Sequence, residues 1–187
     1  MYAALLDACV LVPSALCDTL LRLAEAGFYR PLWSSQILGA VEDAVVRIRP
    51  ELDPDRVRRR ITLMSETFED ANVLGWEGVA AGLDLPDPDD RHVLAAAITG
   101  GAQAIVTLNL KDFPASALVD GIEARHPDEF LLDQLDLLPS RLLEVLTQQA
   151  GDLRRPASDL AGVLNHPERC GVPNFVEAVR RLAPESA

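Results

Sequence analysis

An α/β fold with a mostly parallel central sheet and a helical C-terminal extension is predicted by three features of the sequence. Residues 3–12 form an apolar run broken only by Asp7. Such a run, without polar alternation, suits a strand buried on both faces, as in a parallel sheet. Strand-like and helix-like segments then alternate to about residue 138, the pattern of βαβ units. From Pro139 onward the periodicity is helical only. The expected organisation is one domain over 1–138 and a helical extension over 139–187.

The elements follow in order. After the first strand, Pro13-Ser14 opens a helix with Leu16, Leu20, Leu21, Leu23 and Ala24 on its apolar positions, and Gly27 stops it. A second helix over 35–48 places Ile37, Leu38, Val41, Ala44, Val45 and Ile48 at helical spacing. Asp53-Pro54 caps a third helix that runs to about Phe68. The segment ANVLGW (71–76) is a short strand candidate. Residues 89–99 read as a buried helix ended by Gly100-Gly101. AQAIVTL (102–108) is a second buried strand, GIEAR (121–125) a short one, and HPDEFLLDQLDLL (126–138) a helix. Beyond it, breaks fall at RRPAS (154–158) and RCGVPN (169–174).

Composition bounds the function. With 49% apolar and 25% charged residues the chain is an ordinary globular protein. Its apolar runs are too short to span a bilayer, and the N-terminus has no basic n-region. Three cysteines (Cys9, Cys17, Cys170) without CxxC spacing point to a reducing cytoplasm and away from zinc; they read as small buried hydrophobes. A net charge of −12 disfavours a generic nucleic-acid coat protein, whose affinity comes from phosphate neutralisation. It suits carboxylates gathered around a divalent cation, or a basic partner.

Four acids interrupt apolar elements or sit at their ends. Asp7 is the sole charge in the first buried strand, and an ionised carboxylate in a core needs a partner or a metal. Glu42 shares a helical row with Leu38 and Val45, at the border of the buried face, while Asp43 turns outward. In LPDPDDRHVL (85–94), Asp90 has Val93, Leu94 and Ala97 on its row; Asp89 is the expected N-cap, and Asp87 and Asp84 are loop charges. Asp112 follows the strand AIVTL in a loop at the edge where parallel sheets bind ligands, with Asn109 as a polar neighbour. Like charges gathered at one sheet edge repel unless a cation joins them, and hard oxygen donors suit Mg²⁺ or Mn²⁺.

Four ordered pieces carry a resemblance: LLDACVLVP with Asp7, SSQILGAVEDAV with Glu42, LPDPDDRHVLAAAI with Asp90, and AIVTLNLKDFP with Asp112. Over residues 3–132 the sequence resembles the PIN-domain ribonucleases, in particular VapC-type toxins of bacterial toxin–antitoxin pairs, in a subgroup with a helical C-terminal extension. The resemblance implies a three-layer α/β/α fold and a metal-dependent endoribonuclease, in which a metal-activated water attacks the RNA phosphodiester in line. It also implies that Asp7, Glu42 and Asp90 bind Mg²⁺ or Mn²⁺, with Asp112 completing the quartet. Some PIN proteins have Asp where this chain has Asn109: either Asp112 is the fourth acid with Asn109 as a helper, or the site is an acid poorer. Thr107 resembles the family's hydroxyl in this loop and would hold an acid or a water. Implied partners are an RNA substrate, a cognate antitoxin inserting a basic side chain into the acidic pocket, and a second copy in a homodimer. The location is cytoplasmic, with no membrane partner.

Other readings are weaker. A non-catalytic PIN module that binds RNA or a protein is the alternative, suggested by the acidic charge and Asn109. A haloacid-dehalogenase-type phosphotransferase needs Asp-x-Asp, where this chain has Cys9 in the second place. A response-regulator receiver wants a second acid beside Asp7 and a phosphoacceptor that ANVLGW lacks. Arg56, Arg58, Arg59 and Arg60 read as a solvated helix face rather than an RNA guide, and Arg154-Arg155 as the start of a linker. His92, His126 and His166 lack shared ligand spacing and read as surface residues.

Overall fold

A computed structural model describes residues 1–152, 162–164 and 171–183. The elements run β1 (Ala3–Leu6), α1 (Ala8–Leu11), α2 (Ser14–Glu25), β2 (Arg30–Leu32), α3 (Ser35–Ile48), α4 (Pro54–Thr67), α5 (Glu77–Ala80), α6 (Arg91–Gly100), β3 (Ala104–Val106), β4 (Glu123–Arg125), α7 (Pro127–Leu137), α8 (Pro139–Asp152) and α9 (Pro173–Leu182). Three short 3₁₀ turns punctuate them, at Glu69–Ala71, Pro88–Asp90 and Leu110–Asp112. Residues 162–164 are also helical. Arg154, Arg155, His166, Cys170 and the expected break at 154–158 lie outside the described residues.

The chain divides into two compact units: Met1–Val12 with Tyr29–Arg125, and Pro13–Phe28 with His126–Ala187. This division differs from the boundary expected at 138/139. Helix α7 groups with the C-terminal helices, and so does α2 from early in the sequence. Sequence order conceals such a grouping, because a helix joins whichever partner covers its apolar stripe.

The first unit carries the sheet, in the order β2-β1-β3-β4, and every pairing is parallel. All residues of β1 and β3 are buried, as their unbroken apolar character requires. The first strand is shorter than its apolar run suggests. It ends at Leu6, and ACVL turns directly into α1. Asp7 therefore sits at the C-terminal end of β1, not within it. One further expectation changes: ANVLGW forms only an isolated bridge, Trp33 to Asn72, while β2 lies in FYRPLW.

Side-chain caps open α3 and α4. The Ser34 hydroxyl accepts the Ile37 amide at 3.2 Å to open α3, whose stripe of Ile37, Leu38, Val41 and Val45 is buried. Asp53 accepts the Asp55 amide at 3.0 Å, with Pro54 in the first turn of α4.

Helix α6 positions the site. Residues 93–97 are all buried, which their small side chains permit, and the helix packs on β1 and β3. It ends at Gly101, whose φ of 65° is left-handed, and the Ala102 amide reaches back to the Ala97 carbonyl at 2.9 Å. Only three residues separate α6 from β3, so the helix must run back antiparallel to the strand. Its N-terminus, with Asp90, thus returns to the C-terminal edge of the sheet. Gly100 allows the close packing this needs: a Cβ there would lie 2.8 Å from Val73 Cγ2 and 2.9 Å from Leu32 Cδ1.

The second unit holds α2, α7, α8 and α9. A buried polar network joins α2 to α8: Gln149 Nε2 donates to Asp18 Oδ2 at 2.8 Å, and the Thr19 hydroxyl donates to Gln149 Oε1 at 3.2 Å. Arg22 links Asp18 and Asp152 on the same two helices. Of the expected break at 169–174, the described part holds Gly171, at a φ of 86°, just before α9 begins. Among the described residues, no helix is long and apolar enough to cross a membrane.

Candidate functional site

The strand order creates the site. Chain connections leave β1 toward β2 on one side and return to β3 on the other, so β1 and β3 flank a topological switch point. Ligands of open parallel sheets bind at the C-terminal strand ends beside such a point. Asp7 and Thr107 follow directly on β1 and β3 there, tied by the Asp7 amide to the Val106 carbonyl at 3.1 Å.

Asp7 is buried, with 9% exposure. The Thr107 hydroxyl donates to its Oδ2 at 2.7 Å, and the Cys9 thiol donates to the same oxygen at 3.0 Å. Thr107 and Cys9 in turn accept backbone amides, from Asn109 at 3.0 Å and from Leu108 at 3.2 Å. The Asn109 side-chain amide donates to Asp112 Oδ2, which fixes the turn over 110–112.

Asp90 is half-buried at the N-cap position of α6. Its carboxyl is pushed up to about 6, first by burial and then by the negative charges of Asp7, Asp87, Asp112 and Asp89. Asp7, Asp90 and Asp112 therefore share one electrostatic neighbourhood. Glu42 is not among the charges acting on Asp90. It sits on α3 with its Oε1 held by Arg58 Nε at 2.8 Å, while Arg58 Nη1 also pairs with Asp55 at 2.9 Å. The structure thus brings together three of the four expected acids, and gives Glu42 an arginine.

The capping roles in LPDPDDRHVL also differ from expectation. Asp87, not Asp89, is the cap: its Oδ1 accepts the Asp89 amide at 2.9 Å and opens the 3₁₀ turn that precedes α6. Asp89 and Asp84 are exposed. Prolines at 86 and 88 make Asp87 look like a bare loop charge, yet they fix the extended backbone from which its side chain reaches forward.

At the site, two residues were misjudged by sequence reasoning. Cys9 is no passive hydrophobe; its thiol is pushed up to about 12 by burial and by the Asp7 charge, so it stays a protonated donor. His92 is half-buried rather than a surface residue, and so, away from the site, is His126, whose Nδ1 accepts the Asp128 amide at 3.3 Å to cap α7. Burial lowers the pKa of His92, opposed by the charges of Asp7 and Asp89, and its ring packs against Trp76 at 6.0 Å. The available signal was spacing: Cys9 and His92 each lie two residues after an acid of the site. Of the arginines, Arg56, Arg58 and Arg59 are exposed, while Arg60 is half-buried and donates to the Leu11 carbonyl at 2.9 Å.

Asp7, Cys9, Asp90, Thr107 and Asn109 lie within a segment that matches a family model, and Asp112 follows directly after it. Residues 3–111, more than half of the chain, match the model described as PIN domain. The chain belongs to the PIN-domain family. Its three-layer α/β/α class is that of the PIN fold, carried here on the parallel four-stranded sheet. Residues 127–181 match the model of the VapC50 C-terminal domain, so this PIN domain has the C-terminal extension of that group. The chain is 43% identical over 101 residues to the Mycobacterium tuberculosis protein named "Putative ribonuclease VapC50", covering 52% of this chain and 58% of the relative. The chain thus spans little more than half the length of that curated relative. No solved structure matches.

PIN-domain ribonucleases generally use divalent metal ions, and the donor set here fits one. Three carboxylates share a neighbourhood in which burial and mutual repulsion already hold Asp90 well above the usual range. Among the described residues no three such side chains stand close enough to form a ready-made coordination cage. An ion held here would be bound through one or two carboxylates, with water filling the rest of its shell.

The Asp90 shift has a consequence for stability. Its folded-state value lies above the unfolded one, so the native protein takes up this proton first. The contribution is fully present below the unfolded value of 3.8 and is lost as pH rises through about 6. Metal-free protein is therefore expected to melt higher at pH 5 than at pH 7.5 from this group, and Asp90→Asn to flatten that difference. Thermal melts in chelator across this range check it.

Proposed function

We propose that this chain is a divalent-metal-dependent endoribonuclease that hydrolyses RNA phosphodiester bonds, acting as the toxin of a toxin–antitoxin pair. The observation that carries the reading is the meeting of Asp7, Asp90 and Asp112 at the β1/β3 switch point, with Asp90 pushed up to about 6. Family membership and the ribonuclease name of the Mycobacterium tuberculosis relative support it.

Asp7 and Asp90 would hold the ion, Mg²⁺ or Mn²⁺, with Asp112 beside them and Glu42 joining from α3 if Arg58 releases it. When bound, such an ion lowers the pKa of a water and stabilises the leaving oxyanion. The protein's own part is placement. Thr107 fixes Asp7, Asn109 fixes Asp112, and the rigid start of α6 fixes Asp90, so the acids need little rearrangement when the substrate phosphate arrives. A cognate antitoxin would silence the site by laying a basic side chain against these acids.

RNA cleavage assayed with Mg²⁺ or Mn²⁺ and with chelator, comparing wild type with Asp7→Ala, tests the reading. Metal-dependent cleavage lost in the variant is expected; cleavage undiminished by Asp7→Ala would sink it. Thr107→Val should keep the fold and lower cleavage by about 10–100-fold, the usual cost of removing a hydrogen bond that orients a metal ligand. One observation favours the second reading, a non-catalytic PIN module that binds RNA or a protein: Glu42 is already held by Arg58. An intact protein that takes up no Mn²⁺ in calorimetry would support that module.

A further inference from the structure

We propose that Cys9 is a positioning residue of the metal site: its thiol and the Thr107 hydroxyl together hold one oxygen of Asp7, leaving the other for the cation. The inference rests on the metal-site reading above and extends it to a residue outside the acid set.

The geometry forms two parallel relays. In one, the Leu108 amide donates to Cys9 Sγ at 3.2 Å and the thiol donates to Asp7 Oδ2 at 3.0 Å. In the other, the Asn109 amide donates to Thr107 Oγ1 at 3.0 Å and the hydroxyl donates to Asp7 Oδ2 at 2.7 Å. The two donors lie 3.3 Å apart. Both relays start on consecutive amides of the loop that carries Asn109 and Asp112, and both end on the same carboxylate oxygen. Asp7 Oδ1 receives no hydrogen bond among the described residues.

Two donors on one oxygen do what one cannot. A single hydrogen bond leaves the carboxylate free to rotate about its last torsion, which is broad for Asp. With Thr107 donating from the segment after β3, a second donor on Asp7's own segment, the Cys9 thiol two residues on, closes that freedom. It also couples the loop over 107–112 to Asp7, so that the placement of Asp112 and of Asp7 is set together.

The test has a metal-free arm and a metal arm. In chelator, the infrared difference spectrum of wild type minus Cys9→Ser isolates the Cys9 S–H stretch. A band below the free-thiol position that moves upward in Asp7→Asn is expected. A band at the free-thiol position, indifferent to Asp7→Asn, overturns the proposal. In calorimetry with Mn²⁺, Cys9→Ala should weaken binding by about 10–100-fold, and Cys9→Ser, which keeps a donor, should restore most of it. A merely structural cysteine would lower the melting temperature in both variants without separating them in Mn²⁺ affinity. Cys9→Ala that binds Mn²⁺ like wild type, with the S–H band shifted as expected, overturns the positioning role and leaves the metal site standing. Wild-type protein that binds no Mn²⁺ overturns the metal-site reading and the positioning role with it.

Discussion

Asp90→Asn is expected to lower metal-dependent RNA cleavage by more than about 100-fold, since losing a ligand should exceed the cost of losing the group that orients it. Asp87→Asn, three residues earlier, should leave cleavage near the wild-type level. The contrast follows from what each carboxylate does. Asp87 uses Oδ1 to accept the Asp89 amide, and an asparagine oxygen can make the same bond. Asp90 makes no capping hydrogen bond although it stands at the N-cap position of α6. Its charge is kept beside Asp7 and Asp112 at a cost in burial and repulsion. A group held so against its own electrostatics marks a functional site more than a structural one. Metal-free Asp90→Asn should accordingly melt above wild type at pH 7.5 while failing to cleave. Loss of cleavage together with a lower melting temperature would instead make Asp90 a structural residue. Initial rates on a labelled RNA, with melts on the same preparations, decide between the two.

Asp128→Ala is expected to cost about 2–4 kcal/mol, combining a lost N-cap with buried donors left unsatisfied. Helix α9 starts at Pro173 behind Val172, which has no polar side chain to cap it. Asp128, on the first turn of α7, supplies the cap from 46 residues away. Its Oδ2 accepts the Asn174 amide at 3.2 Å and the Asn174 side chain at 2.7 Å, and its Oδ1 accepts the Phe175 amide at 2.8 Å. The carboxylate is 5% exposed and sits on the positive end of α9. Phe175, Val176 and Val179, the buried stripe of that helix, depend on the register this cap sets. Urea denaturation measures the loss, and a melting temperature lower by about 5–15 °C accompanies it. Asp128→Asn keeps one acceptor oxygen and should cost less than half as much. An unchanged midpoint for Asp128→Ala would show that the apolar stripe alone holds α9.

The two residues differ in how openly the sequence shows them. Asp90 announces itself: an acid on the same helical row as Val93, Leu94 and Ala97 is visible in any reading of periodicity. Asp128 looks like an ordinary first-turn acid in HPDEF, and nothing local says that its oxygens point to another helix. Glu42 falls between. Its row predicts the border of a buried face, which holds, but not that Arg58 would occupy its carboxylate.

By itself the sequence determined the α/β class, the parallel sheet, the start and stop of α3 and α4, and the buried helical row that Asp90 heads. Those properties follow from local periods of 3.6 and 2 residues and from caps a few residues apart, so they need no partner to be read. Only the tertiary structure decided that β1 stops before Asp7, that α2 groups with the C-terminal helices, that Asp87 caps where Asp89 was expected, and that Cys9 donates to Asp7. The last is the clearest case. The thiol donates to Asp7 while accepting the Leu108 amide of the loop after β3, some 100 residues along the chain, beside the Thr107 hydroxyl on the same oxygen. The Cys9–Asp7 bond spans only two residues and their spacing hints at it, but the Thr107 and Leu108 contacts that complete it depend on which strands pair and in which order.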